Sequence, residues 1–311
     1  MSTTTTERGT GRPARQRGDV VFAGVAKGAG VLILLALAGV TFFLTFEGIP
    51  GLTGDDSVYS GKDGFLSYVW PLVYGTVLAA LIALLIATPL AIGVALVTSH
   101  YAPARLARPV AYTIDLLAAI PSVVYGLWGI NFLAPRLVPG YQFLQEHVSW
   151  LPFFAGPTAT TGRTILTAGI VLAVMILPII TAISREVFLQ TPKLHEEAAL
   201  ALGATRWEMI RTAVFPHARS GIVSAVMLGL GRALGETMAV AMVLSATGVV
   251  TFNLISSVNP STIAANIALQ FPESSGERVN VLIATGLVLF VVTFAVNFAA
   301  RSIVARGQIK G

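Results

Sequence analysis

The sequence predicts an all-α membrane protein with six transmembrane helices, on three observations. Only 11% of the 311 residues are charged while 55% are hydrophobic, so a water-soluble fold would lack the polar side chains to cover its surface. Long stretches free of Asp, Glu, Lys and Arg recur, each able to supply a span of about 20 residues. The basic residues cluster in alternate connections, as they do when spans thread back and forth through a bilayer. There are no cysteines, which excludes disulfide staples, thiolate metal sites and cysteine nucleophiles. His100, His147, His195 and His217 never fall at the close spacing that puts two zinc ligands on one helix face, so no metal site is expected.

The charge-free runs cover residues 28–46, 64–104, 116–135, 164–184, 237–272 and 279–300. The first, between Lys27 and Glu47, is too long for a signal-peptide core and has no small-x-small cleavage site at its end, so it reads as an uncleaved helix. The second exceeds one span; its helix is expected at 72–97, kinked locally by Pro89, with 64–70 at the interface. The third span is expected at 110–134 and tolerates Asp115, which can pair with Arg105 or Arg108. The fourth lies at 165–183. The fifth, 221–246, encloses Arg232 and Glu236, so a charge-free filter alone passes over most of it. The sixth lies at 281–298. Residues 1–26 begin with a Thr-, Arg- and Gly-rich stretch that cannot bury enough surface to order itself, and are read as a disordered cytoplasmic tail. Residues 27–311 are then one six-helix transmembrane domain. The connection at 135–162 mixes Pro and Gly with Tyr141, Phe143, Trp150, Phe153 and Phe154, which suits an aromatic belt at the interface or a docking surface.

Alternating the six spans places every basic residue on one side except Lys62, Arg136, Arg163 and Arg278, with Arg232 inside a span. The positive-inside rule makes that side cytoplasmic, so both termini are expected there. The net charge of +5 is thus a topology signal and gives no reason to expect a nucleic-acid partner. The cytoplasmic connection 185–219 carries the densest charge. Thr191 can cap a first short helix with Pro192 at its first position, Gly203 supplies the left-handed residue that ends it, and Thr205 to Glu208 forms a capping box for a second helix that Pro216 closes. By charge pattern alone such a hairpin can be an ordinary solvated connector.

The loop also carries Glu197-Ala198-Ala199, three residues, Gly203 and, further on, Pro216. This resembles the EAA loop of ABC importer permeases, which continues Ile-x-Leu-Pro where this chain has Ala213 and Phe215 before the proline. The resemblance implies that Glu197, Ala198, Ala199, Gly203 and Pro216 belong to a coupling helix seated on a separate ATPase subunit. No Gly-x-x-x-x-Gly-Lys-Ser/Thr occurs, the one Gly-Lys pair being Gly61-Lys62 followed by Asp63. ATP, if used, is therefore used by another chain, and this chain is expected to bind no cofactor and to catalyse no covalent step.

Arg232 and Glu236 lie four apart, which on a continuous helix puts them on one face and within reach of each other. Both charges must face protein or water, because lipid would cost at least about 2.5 to 3.5 kcal/mol each. Arg232 can offer a planar, permanently charged donor to an oxyanion, with Glu236 positioning or releasing it; alternatively the two form a structural ion pair. Gly231 and Gly235 form a small-residue step that lets another helix approach. The stretch Gly231-Arg232-Ala233-Leu234-Gly235-Glu236-Thr237-Met238-Ala239-Val240 is similar to that of phosphate-specific ABC permeases of the PstC type, as are residues 117–129 and 162–170. Within 117–129, Pro121 breaks the helical ladder, and Ser122 and Tyr125 can present hydroxyls to a pathway or serve helix packing with their hydroxyls satisfied internally.

The resemblance implies a six-helix ABC importer permease in the plasma membrane of a prokaryote. It would pair with a second permease and two ATP-binding subunits, and receive phosphate from an extracytoplasmic phosphate-binding protein. Its rivals are the partner-type phosphate permease, a permease for another oxyanion such as sulfate, an ATP-independent channel or secondary transporter, and an intramembrane enzyme using Glu236.

Overall fold

The computed structural model describes residues 17–308, so residues 1–16 of the expected disordered tail lie outside the described residues. The chain divides into two compact units, 1–46 and 47–311. The first is represented by α1 (Arg17–Gly48), so residues 17–26, read as tail from sequence, are helical. Val20, Val21, Phe22 and Val25 extend the apolar run back past Lys27 and account for the difference. Apolar residues occupy every side of α1, the pattern of a helix surrounded by lipid rather than one packed by a stripe.

The second unit contains α2 (Gly64–Leu96), α3 (Ala104–Ala118), α4 (Ser122–Trp128), α5 (Ala134–Val148), α6 (Ile165–Leu189), α7 (Lys193–Ala201) and α8 (Arg206–Met209). It continues with α9 (Phe215–Leu234), α10 (Met238–Val243), α11 (Ile263–Gln270) and α12 (Glu277–Gln308). Among the described residues, five helical segments are long and apolar enough to cross a membrane: Val20–Leu52, Asp56–Tyr101, Ile165–Leu189, Arg206–Leu234 and Glu277–Ser302. A sixth exists if Arg105–Ala118 and Ser122–Val148, bent by 95° where they meet, form one interrupted span.

The core is a three-helix contact of α2, α6 and α9. Ala79, Ala83, Ala87, Ala91 and Ala95, spaced by four, make one fully buried stripe along α2. Helices in lipid gain little from hiding apolar surface from each other and associate through close backbone packing, which this stripe permits. On α6, Gly169 fits against Ile82, and a side chain there would meet its Cβ at 2.8 Å. On α9, Gly229 is seated against Ile180, whose Cδ1 a Cβ there would meet at 2.8 Å, and Gly221 against Val187. The expected small-residue step at Gly231 and Gly235 does not serve this contact: nothing lies within 4 Å of a Cβ on Gly231, and only the Gly231 carbonyl, at 3.6 Å, near one on Gly235.

Two expected spans are broken. The third ends as α3 at Ala118 and resumes at Ser122, because Pro121 has no N–H and its ring disfavours helix at Ile120 before it. The fifth, expected as a continuous helix at 221–246, stops at Leu234; Gly231 and Gly235 weaken the last turn. Beyond it the chain forms the short α10, an irregular segment at 244–262 and α11. Asp115 pairs with neither Arg105 nor Arg108 and is exposed like both.

The connection at 135–162 contains helix α5 where a loop was expected. Tyr141 is not part of an aromatic belt: it is buried, its hydroxyl 2.7 Å from the Thr167 hydroxyl of α6. Trp150 and Phe143 remain exposed. α2 runs through both Pro71 and Pro89 without interruption.

Candidate functional site

Arg232 occupies the last turn of α9, and Glu236 lies beyond its end. The structural ion pair that was the alternative reading therefore does not form, and no nitrogen–oxygen approach within 4 Å joins the two side chains. Glu236 is 8% exposed and turns its Oε1 to accept from the N–H of Ala239 at 3.1 Å, in the first turn of α10. A buried carboxylate needs such a donor, and a helix start has N–H groups without partners of their own. Arg232, freed from the pair, is exposed and makes no hydrogen bond or ion pair among the described residues. Its charge lies within electrostatic reach of Tyr125. A bare guanidinium at the end of a spanning helix cannot face lipid at reasonable cost, so this face of α9 meets water or another polypeptide.

The break in the third span supplies the other wall. Pro121 leaves the Leu117 carbonyl without its helical donor, and the hydroxyl of Tyr125, one turn into α4, donates to it at 2.8 Å. Tyr125 is thus buried with its hydroxyl used inside the chain, while Ser122, half-buried at the start of α4, has no hydrogen-bond partner among the described residues. Gly126 lets α4 lie against α10: a Cβ there would strike the Met242 methyl and meet the Ala239 Cα at 3.0 Å. Gly129 does the same against Val243 and Val171, each at 2.8 Å. The two helix breaks are consequently neighbours, with Tyr125 on one, Glu236 on the other and Arg232 at the edge of both.

Two residues that the sequence reading gave no role hold this arrangement. Arg163, just before α6, donates from Nη2 to the carbonyls of Met242 at 3.1 Å and Leu244 at 3.4 Å, closing the C-terminal end of α10. A cation there also complements the negative end of the helix. Asn259, fully buried, accepts from the N–H of Ile165 at 3.2 Å and donates to the carbonyl of Ser256 at 2.7 Å, so the irregular segment is pinned to the start of α6. The backbone carbonyl of Asn259 accepts from the N–H of Thr247 at 2.8 Å. Buried irregular backbone needs these partners, and a long charge-free run rich in Asn, Ser and Thr is the signal that could have marked it.

The hairpin α7–α8 keeps part of its expected form. Gly203 has φ +88, the left-handed conformation, and Thr205 and Glu208 form the reciprocal capping box: the Thr205 N–H donates to Glu208 at 2.8 Å and the Glu208 N–H to Thr205 at 3.3 Å. Thr191 does not cap α7; Pro192 takes the cap position, and the Thr191 hydroxyl is buried without a partner. Nor does Pro216 close a helix. The chain passes from α8 through a wide π turn, Ile210–Val214, into α9, where Pro216 is the second residue. The wider turn, with the Phe215 N–H donating to Ile210, accommodates a residue that has no N–H to give. No residue of α7 is buried; Glu197 and Ala198 face out and Ala199 is half-buried against the cluster of Leu96, Phe188, Met209 and Ile210. Leu194 and Leu202 are 77% and 90% exposed, an apolar surface that a partner would cover.

Broken spans around polar groups, an exposed arginine at the end of a helix long and apolar enough to cross a membrane and a solvent-exposed helical hairpin are features that a membrane transport component would carry. The chain belongs to the family of binding-protein-dependent transport system inner membrane components, which it matches over residues 87–307. It is 46% identical over 312 residues to the phosphate transport system permease protein PstC 2 of Mycobacterium tuberculosis (strain ATCC 25618 / H37Rv), covering 96% of this chain and 95% of that protein. It is 42% identical over 277 residues to PstC of Xylella fastidiosa (strain 9a5c), covering 88% and 81% respectively. The resemblance carried by the motifs thus extends along nearly the whole chain. In fold it is similar to a chain of the inward-facing MetNI methionine ABC transporter, with TM-score 0.53 and 18% identity over 76% of this chain and 93% of that one. A bacterial ABC transporter involved in alginate import gives TM-score 0.51 and 18% identity over 92% and 98%.

Proposed function

We propose that the chain is a pathway-forming permease subunit of an ATP-driven phosphate importer. In this assembly it pairs with a second permease and two ATP-binding subunits, and takes phosphate from an extracytoplasmic binding protein. The observation that carries the reading is the exposed, unpartnered Arg232 beside two neighbouring helix breaks. Its guanidinium fork presents donors matched to an oxyanion and stays charged at any working pH. Glu236 acts by holding the start of α10 in place, leaving Arg232 free for the anion. Tyr125 closes the carbonyl that the α3–α4 break opens, and Ser122 offers the free hydroxyl of that wall. The open surface at Gly231 is room for the second permease, whose approach would complete the pathway.

At the other end of the bundle, the exposed face of α7 with Glu197 and Ala198, the half-buried Ala199 and the turn at Gly203 docks on an ATP-binding subunit. Pro216 lies in the continuous helical path from that contact to Arg232, so movement of the hairpin reaches the site through α9. Both termini and the hairpin lie on the cytoplasmic side of a prokaryotic plasma membrane, a placement the distribution of basic residues supports. ATP binding and hydrolysis belong to the partner.

The experiment is ATP-dependent uptake of labelled phosphate by the assembled complex, with excess sulfate as competitor, comparing wild type with Arg232→Gln at matched assembly. Phosphate uptake that resists sulfate and is lost in the variant is expected. Normal uptake by Arg232→Gln would remove Arg232 from the pathway, and full competition by sulfate would remove the phosphate assignment.

A further inference from the structure

We propose that α2 is a second mechanical link between the ATPase-docking hairpin and the α10–α11 segment, engaged through a latch of His100 and Glu196. The proposal rests on the reading of the chain as an ATP-driven permease. The hairpin is joined covalently to α6 and α9 alone, so any force reaching α2 must cross a side-chain contact. His100 supplies one. It lies in the π turn Val97–Tyr101 that extends α2, its side chain is 8% exposed, and its Nε2 lies 3.5 Å from Oε1 of Glu196 on α7. Its Nδ1 is held 2.7 Å from the Ser99 hydroxyl, and its ring meets Phe188 of α6 edge-on at 6.3 Å between centroids. One imidazole therefore meets three elements, with its orientation fixed on two sides and its remaining nitrogen 3.5 Å from the carboxylate of the third.

The opposite end of α2 grips the segment beyond Glu236. The Thr76 hydroxyl accepts from the N–H of Ile263, the first residue of α11, at 2.9 Å. The Tyr68 hydroxyl accepts from Asn266 at 2.7 Å and donates to Gln270 at 3.2 Å, while Tyr74 donates to the Thr251 carbonyl at 3.1 Å. Gln270 in turn donates to Asn266 at 2.8 Å, closing a ring of three hydrogen bonds. From Thr76 to His100 the helix spans about 36 Å at about 1.5 Å per residue, and the buried alanine stripe keeps it against α6 throughout. A helix gripped by polar contacts at both ends and packed between them transmits displacement along its axis. The latch is the part of this path with two discrete states, made and broken, as transmission between distant sites requires.

The test uses the assembled transporter in proteoliposomes, with phosphate import and ATP hydrolysis measured on the same sample. His100→Phe keeps the ring against Phe188 and removes the nitrogens; Glu196→Ala removes the carboxylate from an exposed helix. Each should lower phosphate imported per ATP hydrolysed by about two- to five-fold, the factor that loss of one partly exposed polar pair can carry. The double variant should lose no more than either single one, and the exchange His100→Glu with Glu196→His should recover most of the ratio. A merely structural role would reduce assembly and hydrolysis together and leave the ratio unchanged. An unchanged ratio in both single variants, or losses that multiply in the double, would overturn the latch while wild type still imports phosphate. A wild type that hydrolyses ATP without importing phosphate would instead overturn the import reading, and the latch with it.

Discussion

Replacing Tyr125 by Phe separates two roles for a hydroxyl in a transport protein. The phenol is buried and donates at 2.8 Å to the carbonyl of Leu117, the group that Pro121 deprives of its helical donor. The Ile120 N–H also reaches that carbonyl, at 3.3 Å, so the oxygen is not left bare when the hydroxyl goes. The cost should then lie near the net value of one hydrogen bond, about 1 kcal/mol, rather than the larger penalty of a buried orphan, up to about 3 kcal/mol. For a chain of this size that is a fall of about 2 °C in melting temperature, measurable on the purified complex by tryptophan fluorescence. Uptake at saturating phosphate should stay within about two-fold of wild type, since a destabilisation of about 1 kcal/mol leaves nearly all of the protein folded. Pro121→Ala supplies the matching control. It returns an N–H to the break, so on that background Tyr125→Phe should cost less, with a coupling of about 0.5 to 1 kcal/mol. A Tyr125→Phe variant with wild-type melting and uptake lowered ten-fold or more would refute this account and make the hydroxyl a direct ligand of the transported ion.

The same contacts give three further outcomes. Arg163→Ala leaves the Met242 and Leu244 carbonyls without their charged donor and should destabilise the complex by about 1.5 to 3 kcal/mol, with phosphate uptake impaired although residue 163 lies far in sequence from Arg232; Arg163→Lys should recover part of both, read by melting and uptake. Gly203→Ala meets no neighbour within 4 Å but forces a φ of +88 on an L residue, so it should cost about 1 to 2 kcal/mol locally and weaken binding of the ATP-binding subunit in a pull-down of purified components. Gly126→Ala, which collides with Met242 and Ala239, should cost about 1 to 3 kcal/mol by overpacking, whereas Gly231→Ala, with open space around it, should raise melting slightly through the helix preference of alanine, by up to about 1 kcal/mol, and any loss it causes should fall on assembly with the second permease.

The spans were legible because lipid imposes a length and an absence of charge that composition alone reveals. The core stripe went unread, although its alanines repeat every four residues from Ala79 to Ala95, because an average over apolar residues does not register such a repeat. Nor were the broken elements legible. A charge-free run such as 237–272 satisfies the same filter whether it forms one helix or a short helix, an irregular segment and another helix. The distinguishing feature is the density of Asn, Ser, Thr and Pro between 251 and 262, residues that bond backbone locally and so favour non-helical paths. Arg163 and Asn259 were invisible as a pair because their partners are backbone carbonyls and amides up to 96 residues away, and backbone groups leave no trace in sequence.

The spacing of Arg232 and Glu236 shows how a local rule fails for a reason that carries function. Four residues apart on a helix, opposite charges should meet, and an ion pair would make both tolerable in a membrane. That pairing would also consume the donors of the arginine and leave nothing for an anion. Gly231 and Gly235 end the helix between them instead, and the carboxylate finds its donor in the Ala239 backbone. The same two charges thereby serve different ends: Glu236 is satisfied inside the chain and fixes the start of α10, while Arg232 stays unsatisfied within it. An unsatisfied cation in a spanning helix is costly in the isolated chain, and under the proposed function that cost is removed when a partner and a passing oxyanion cover it. Moving the break by restoring helix propensity, as in Gly235→Ala, should therefore let the pair form, stabilise the isolated subunit and lower phosphate uptake together, an opposite movement of stability and transport that a purely structural pair would not produce.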